Sequence, residues 1–92
     1  MRLLWTRSAL ADRRSVHDYI EAQNAQAAAR LDKLFEDGAD RLPAHPHLGR
    51  PGRVAGTREL VVHRHYVLVY DVHGETVRVL RLLHTSLQWP TG

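Results

Sequence analysis

Seven side chains in the second half of the sequence combine proton-transfer groups with fixed positive charge: Arg58, His63, Arg64, His65, Arg78, Arg81 and His84. Metal-free RNA cleavage uses such a set. One group takes the 2′-hydroxyl proton, another protonates the leaving 5′-oxygen, and a guanidinium stabilises the charge building on phosphorus. His84 with His63 or His65 suits the proton roles, and Arg58 or Arg81 the electrostatic one. Three points weigh against catalysis. Strict alternation along "VRVLRLLHTS" (residues 77–86) puts Arg81 on the face of Val77 and Val79, and His84 on the other. Arginine stems also cover apolar sheet surface while their heads stay in water. Finally, histidine is common here, with 7 in 92 residues.

Other chemistries find less support. His45/His47 and His63/His65 are His-x-His pairs, but zinc needs three or four ligands and both pairs fall in predicted turns. "GRPGR" (residues 49–53) lacks the length and lysine of a phosphate loop and precedes a strand, so it reads as a turn flanked by arginines, Arg53 among them. With no cysteine and no Gly-x-Ser-x-Gly, a thiol nucleophile and a serine-hydrolase elbow are excluded. No cofactor and no metal is expected.

Charge placement says more than its total. The net charge is +3; residues 1–49 balance seven Lys/Arg against seven Asp/Glu, and residues 50–92 set six Arg against Glu59, Asp71 and Glu75. A basic, arginine-rich half implies an acidic partner, either nucleic acid or a small acidic protein. The apolar run at Leu3–Trp5 is too short for a signal peptide or a membrane span, so the expected compartment is the cytoplasm. Ninety-two residues suit one domain, 1–92.

The elements that must position these groups follow from periodicity. "MRLLWT" alternates as a short strand. Ser8 offers a helix-starting hydroxyl, and Ala9, Val16 and Ile20 mark one face of a helix running to about Gln23. Asn24 breaks that helix and caps the next. Ala27, Ala28, Leu31, Leu34, Phe35 and Leu42 form the apolar stripe of a second helix, weakened at Gly38 and ended by Pro43. A proline- and glycine-rich loop then leads to three strands, "TRELVV", "YVLVYDV" and "TVRVLRLL". "HRH" and His73-Gly74 make the reversals between them. The predicted class is α+β, an N-terminal helical hairpin packed on an antiparallel sheet.

The stretch "LGRPGRVAGTRELVVHRHYVLVYDVHGETVRVLRLLHTSLQWP", following helices that end "LDKLFEDGADRLPAHP", resembles the RelE/ParE superfamily of bacterial toxins. The similarity covers nearly the whole chain. It implies a helical hairpin followed by a curved antiparallel sheet. It also implies a cognate antitoxin whose C-terminal segment wraps the toxin, and operator DNA bound only through the toxin–antitoxin complex. RelE-type members cut messenger RNA on the ribosome and carry a basic residue where this chain has Val67. Arg58 matches one of their basic positions, but Leu87 and the tail "QWPTG" supply neither the arginine nor the tyrosine such RNases place there. ParE-type members poison DNA gyrase and are similar to this chain in the apolar third predicted strand and in the "R-hydrophobic-hydrophobic-H" ending at His84. Some histidine-dependent RNases of the superfamily also place a histidine near His84.

The resemblance therefore favours a growth-arresting, ParE-like gyrase inhibitor. Arg53, Arg58, Arg64, Arg78, Arg81 and His84 are then its binding residues. The alternative is a ribosome-dependent mRNA endonuclease using His84, Arg58 and Arg81. A third reading is a toxin remnant that only forms a repressor complex with its antitoxin.

Overall fold

The computed structural model describes residues 1–86; Leu87 and the tail "QWPTG" lie outside the described residues. The elements in chain order are β1 (Arg2–Trp5), α1 (Arg7–Glu21), α2 (Ala25–Asp40), β2 (Arg50–Pro51), β3 (Arg58–His63), β4 (Tyr66–His73) and β5 (Thr76–His84). The two helices pack on one face of a five-stranded sheet of order β1-β5-β4-β3-β2. The antiparallel arrangement holds from β2 to β5, while β1 joins β5 in parallel, Leu3 opposite Val77 and Trp5 opposite Val79. A parallel pair needs a long connection, and here the rest of the fold supplies it.

Helix α1 starts earlier than Ser8 suggests. Thr6 is the cap: its Oγ1 accepts from the Ala9 N–H at 3.1 Å and donates to the Leu80 carbonyl at 3.0 Å. One hydroxyl thus closes the helix N-terminus and ties it to β5, which Ser8, already inside the first turn, cannot do. Asn24 caps α2 as its sequence position indicates, its Oδ1 accepting from the Ala27 N–H at 3.0 Å. The helices are clamped by Arg13, whose Nε and Nη2 donate to both Asp32 oxygens at 2.7 and 2.9 Å. The Arg13 guanidinium also lies 4.8 Å over the Trp5 ring. Hydrogen bonding to Arg13 holds the Asp32 carboxyl below its ordinary range despite partial burial.

Gly38 is not a weak point of α2. A Cβ built there would lie 2.5 Å from Val62 Cγ1, so the missing side chain is what lets α2 settle onto β3. The helix ends at Asp40, short of Pro43, yet Leu42 stays fully buried beyond it. The loop that follows is pinned by the buried Tyr70. Its hydroxyl donates to the Pro46 carbonyl at 2.8 Å and accepts from the Gly49 N–H at 2.9 Å.

Strand β5 carries the decisive irregularity. Val69 of β4 faces Arg81 and Tyr70 faces Val79, so Leu80 is an extra residue, a β-bulge. The bulge reverses the alternation: Val77, Val79 and Leu82 all join the main core, with Phe35, Ala39, Leu60, Leu68 and Tyr70. His84, two residues beyond Leu82 and opposite Tyr66, therefore lies on the helix-facing side rather than opposite Val77 and Val79. The same irregularity removes Arg81 from the face of Val77 and Val79. The β4–β5 turn also differs by one residue from its expected place. His73 pairs with Thr76, leaving Gly74-Glu75 as the two-residue loop, with Gly74 at φ +61°, the conformation for which such a turn selects glycine.

Past Trp5, strand β1 no longer covers the edge of β5. The Asp12 side chain of α1 takes its place: Oδ2 accepts the Leu82 N–H at 3.0 Å and Arg81 Nε at 2.7 Å, and Oδ1 accepts Arg81 Nη2 at 3.1 Å. Two substitutions test this frame. Asp12→Ala is expected to lower the unfolding free energy by about 2 kcal/mol in urea titrations, and Asp12→Asn, which still accepts the Leu82 N–H, by roughly half as much. Gly38→Ala should cost about 1–3 kcal/mol through overpacking, despite alanine's better helix propensity. Combining it with Val62→Ala should recover most of that loss.

Candidate functional site

The arginines of the sheet are engaged within the chain. Arg78 Nε and Nη2 donate to Asp71 Oδ1 and Oδ2 at 2.8 and 2.7 Å, a directly opposed cross-strand pair. Arg81 is held by Asp12 as described, its side chain only 27% exposed. Arg58 Nη1 donates to the Gly49 carbonyl at 2.8 Å and so supports the Tyr70-anchored loop. Hydrogen bonds to Asp71 and Asp12 raise the pKa values of Arg78 and Arg81, so both remain charged in fixed fork geometry.

The turn read from "GRPGR" becomes a two-residue strand, with Arg50 opposite Glu59. Glu59 is 6% exposed and is satisfied by Arg50 Nη2 and the Arg53 N–H, each at 3.2 Å. The Arg53 amide, which a phosphate cradle would present to an anion, is thus already bound to an internal carboxylate. The Arg53 and Arg64 residues themselves are exposed.

The histidines converge at the far end of the sheet. His63 closes β3, His65 sits in the two-residue turn, and Tyr66 opens β4 opposite His84. The His65 and His84 rings stack at 5.4 Å and 9°, and Tyr66 meets His84 edge-on at 5.3 Å. His63 lies 5.5 Å from His65 and 6.0 Å from Tyr66 between ring centroids. Partial loss of water, then the charges of Arg64, His84 and His63, hold the His65 imidazole below its ordinary 6.5. These rings form one wall of a groove of about 450 Å³ whose other wall comes from the helices, with Ile20, Arg30, Leu31 and Leu34.

The three residues of a prospective RNase are therefore not brought together. Arg58 pairs with Tyr70 and His84 with Tyr66, four residues apart along β4, or about 13 Å at strand spacing. Arg81 is nearer to His84 and lines the same shallow groove beside α1, but its fork is filled by Asp12. Val67 lies on the helix-free face with Val69 and Leu83, a small buried apolar cluster. Among the described residues no group of three or more His, Cys, Asp or Glu is arranged to hold a metal ion.

Sequence reasoning missed Tyr66, Arg30 and Asp12. Tyr66 directly follows "HRH", so its neighbourhood was readable. Arg30 and Asp12 enter from the helices, and only tertiary packing brings them to the sheet.

The comparisons with known proteins agree on this architecture. The family described as the ParE toxin of the type II toxin–antitoxin system parDE matches residues 3–89. Y4kP of Sinorhizobium fredii is 37% identical over 90 residues, covering 97% of this chain and 93% of its own length. Toxin RelE2 of Caulobacter vibrioides is 36% identical over 85 residues, covering 92% and 96%. The solved chromosomal ParDE toxin–antitoxin system of P. aeruginosa superposes with a TM-score of 0.82 at 27% identity, covering 91% of this chain and 95% of that one. With a family match over almost its whole length and two relatives above one-third identity, the chain belongs to the ParE toxins of type II toxin–antitoxin systems, within the RelE/ParE superfamily.

Proposed function

We propose that this toxin arrests growth by binding DNA gyrase in the ParE manner, without making or breaking a bond in RNA. A cognate antitoxin neutralises it, and operator DNA is met only through their complex. One observation carries the reading. Arg78 and Arg81 are each forked onto an internal carboxylate, and Arg58 is held by one bond to the Gly49 carbonyl, far from His84. RNA cleavage needs an unsatisfied cation aimed at the scissile phosphate. Recruiting Arg81 would expose the Asp12 carboxylate and leave the edge of β5 dependent on it alone. Protein binding makes no such demand. It can use the exposed Arg53 and Arg64, with His84 at the sheet end, as contact groups. The apolar Val67, where RNases of the superfamily carry a base, points the same way. Among the described residues no helix is long and apolar enough to cross a membrane, which fits action on a cytoplasmic target.

A second reading keeps one specific support. Stacked His65 and His84, with Tyr66 on their flank, place several proton-transfer groups at one end of the sheet. An mRNA endonuclease would centre there, with His84 as the acid or base.

Induction of the toxin in cells, followed by two readouts, separates the readings. Under the proposal, a DNA-damage response and cleaved gyrase–DNA complexes accumulate while messenger RNA stays intact. Rapid loss of translation with in-frame mRNA cuts would overturn it. His84→Ala, checked for folding by circular dichroism, is expected to keep growth arrest within about tenfold of the wild-type induction threshold, because a rim contact carries only a small share of binding energy. Abolished toxicity in a folded variant that still binds its antitoxin would instead assign His84 a chemical role.

A further inference from the structure

Two of the clustered histidines make the same unusual bond. His63 Nδ1 accepts the backbone N–H of His65 at 3.1 Å. His84 Nδ1 accepts the backbone N–H of Ser86 at 3.1 Å and lies 2.7 Å from Ser86 Oγ. A backbone N–H can only donate, so each Nδ1 must carry its lone pair and each ring must be the neutral Nε2–H tautomer. An imidazolium has a proton on both nitrogens, and that on Nδ1 would face the backbone N–H. Both bonds are therefore incompatible with protonation. At His84 the Ser86 hydroxyl can reverse and accept from Nδ1–H, so the ring keeps a partner while the backbone loses one.

We propose that His63 and His84 are proton-operated latches: neutral, they fasten the β3–β4 turn and the end of β5, and protonated, they release both. The two are coupled through His65, whose amide is held by His63 and whose ring stacks on His84. Thr85 adds a third tie, its N–H donating to the His65 carbonyl at 2.8 Å and its Oγ1 to the Arg64 carbonyl at 3.3 Å. The charged surroundings favour release once protons bind. Arg64 and His65 face the rings from the turn, Tyr66 from β4, and Arg30 from α2 across the groove. The neighbouring groove is lined by His84 together with Asp12 and Tyr19 of α1 and Arg81 of its own strand. Asp12, the carboxylate of that set, is already occupied by Arg81 and the Leu82 N–H, so it offers little compensation to an imidazolium. Like charges accumulate at one end of the sheet, so each added proton makes the next harder to add and the latches open one after the other as the pH falls.

The test is nuclear magnetic resonance of the full chain between pH 7.5 and 5. Long-range proton–nitrogen spectra at pH 7.5 should show His63 and His84 as Nε2–H tautomers. As the pH falls, the His65 and Ser86 amides should lose about fivefold in solvent-exchange protection, after correction for the intrinsic rate. The central amides of Leu68 and Val79 should stay protected. Asparagine offers an oxygen that accepts the same N–H two residues on and does not titrate. The double variant His63→Asn/His84→Asn should therefore hold both amides protected down to pH 5. An Nδ1–H tautomer at pH 7.5 would overturn the proposal, as would unchanged His65 and Ser86 protection through the titration. Loss of protection across the whole sheet, or a double variant that opens like the wild type, would overturn it equally.

Discussion

The carboxylate of Asp12 joins three things that would otherwise come apart: the edge of β5, the Arg81 guanidinium and the first helix. It sits where β1 stops pairing and the bulge at Leu80 shifts the register of β5 against β4. A buried strand edge with an unanswered N–H is costly, and a helix laid beside it has no backbone donors or acceptors to spare. A side-chain carboxylate solves both problems at once. Its bond to Leu82 fixes where α1 lies along β5, and Thr6, bonded to the Leu80 carbonyl, fixes where α1 begins. From α1 the constraint passes to α2 through Arg13 and Asp32, and from α2 to β3 through the close approach at Gly38.

The same arrangement sets the character of the surface. A sequence with an arginine-rich second half suggests a field of available cations, and the fold consumes much of it. Arg78 is matched to Asp71, Arg81 to Asp12, and Arg50 to the buried Glu59. The function classes open to a RelE/ParE toxin depend on that accounting of partners more than on residue types. An arginine locked by an internal carboxylate supplies rigidity where a substrate phosphate would need charge.

Most elements were readable from periodicity and local chemistry. The helical hairpin, the Asn24 cap and the three long strands follow from apolar spacing and from turn residues that act over two to four positions. What could not be read depends on distant parts of the chain. Nothing near Leu80 announces a bulge, and that bulge alone moves His84 across the sheet. Thr6 wins over Ser8 because it can reach Leu80 as well as Ala9. Gly38 reads as a helix breaker locally and proves to be a point of helix–sheet contact, since its neighbour Val62 is a whole loop away. The histidines were visible as candidates, but their ring geometry needed the β3–β4 turn and the end of β5 to be brought side by side.

The parallel pairing of β1 with β5 also bears on how the toxin comes into being. Among the described elements, β1 is made before its neighbour β5 by most of the fold, and the Thr6–Leu80 bond joins residues 74 positions apart. Helices can form early, but the core that they cover is completed only by Val77, Val79 and Leu82. A fold so dependent on distant pairing is slow to nucleate. Until β5 has been made, β1 and both helices therefore lack the strand that joins them, and the core has no floor to close on.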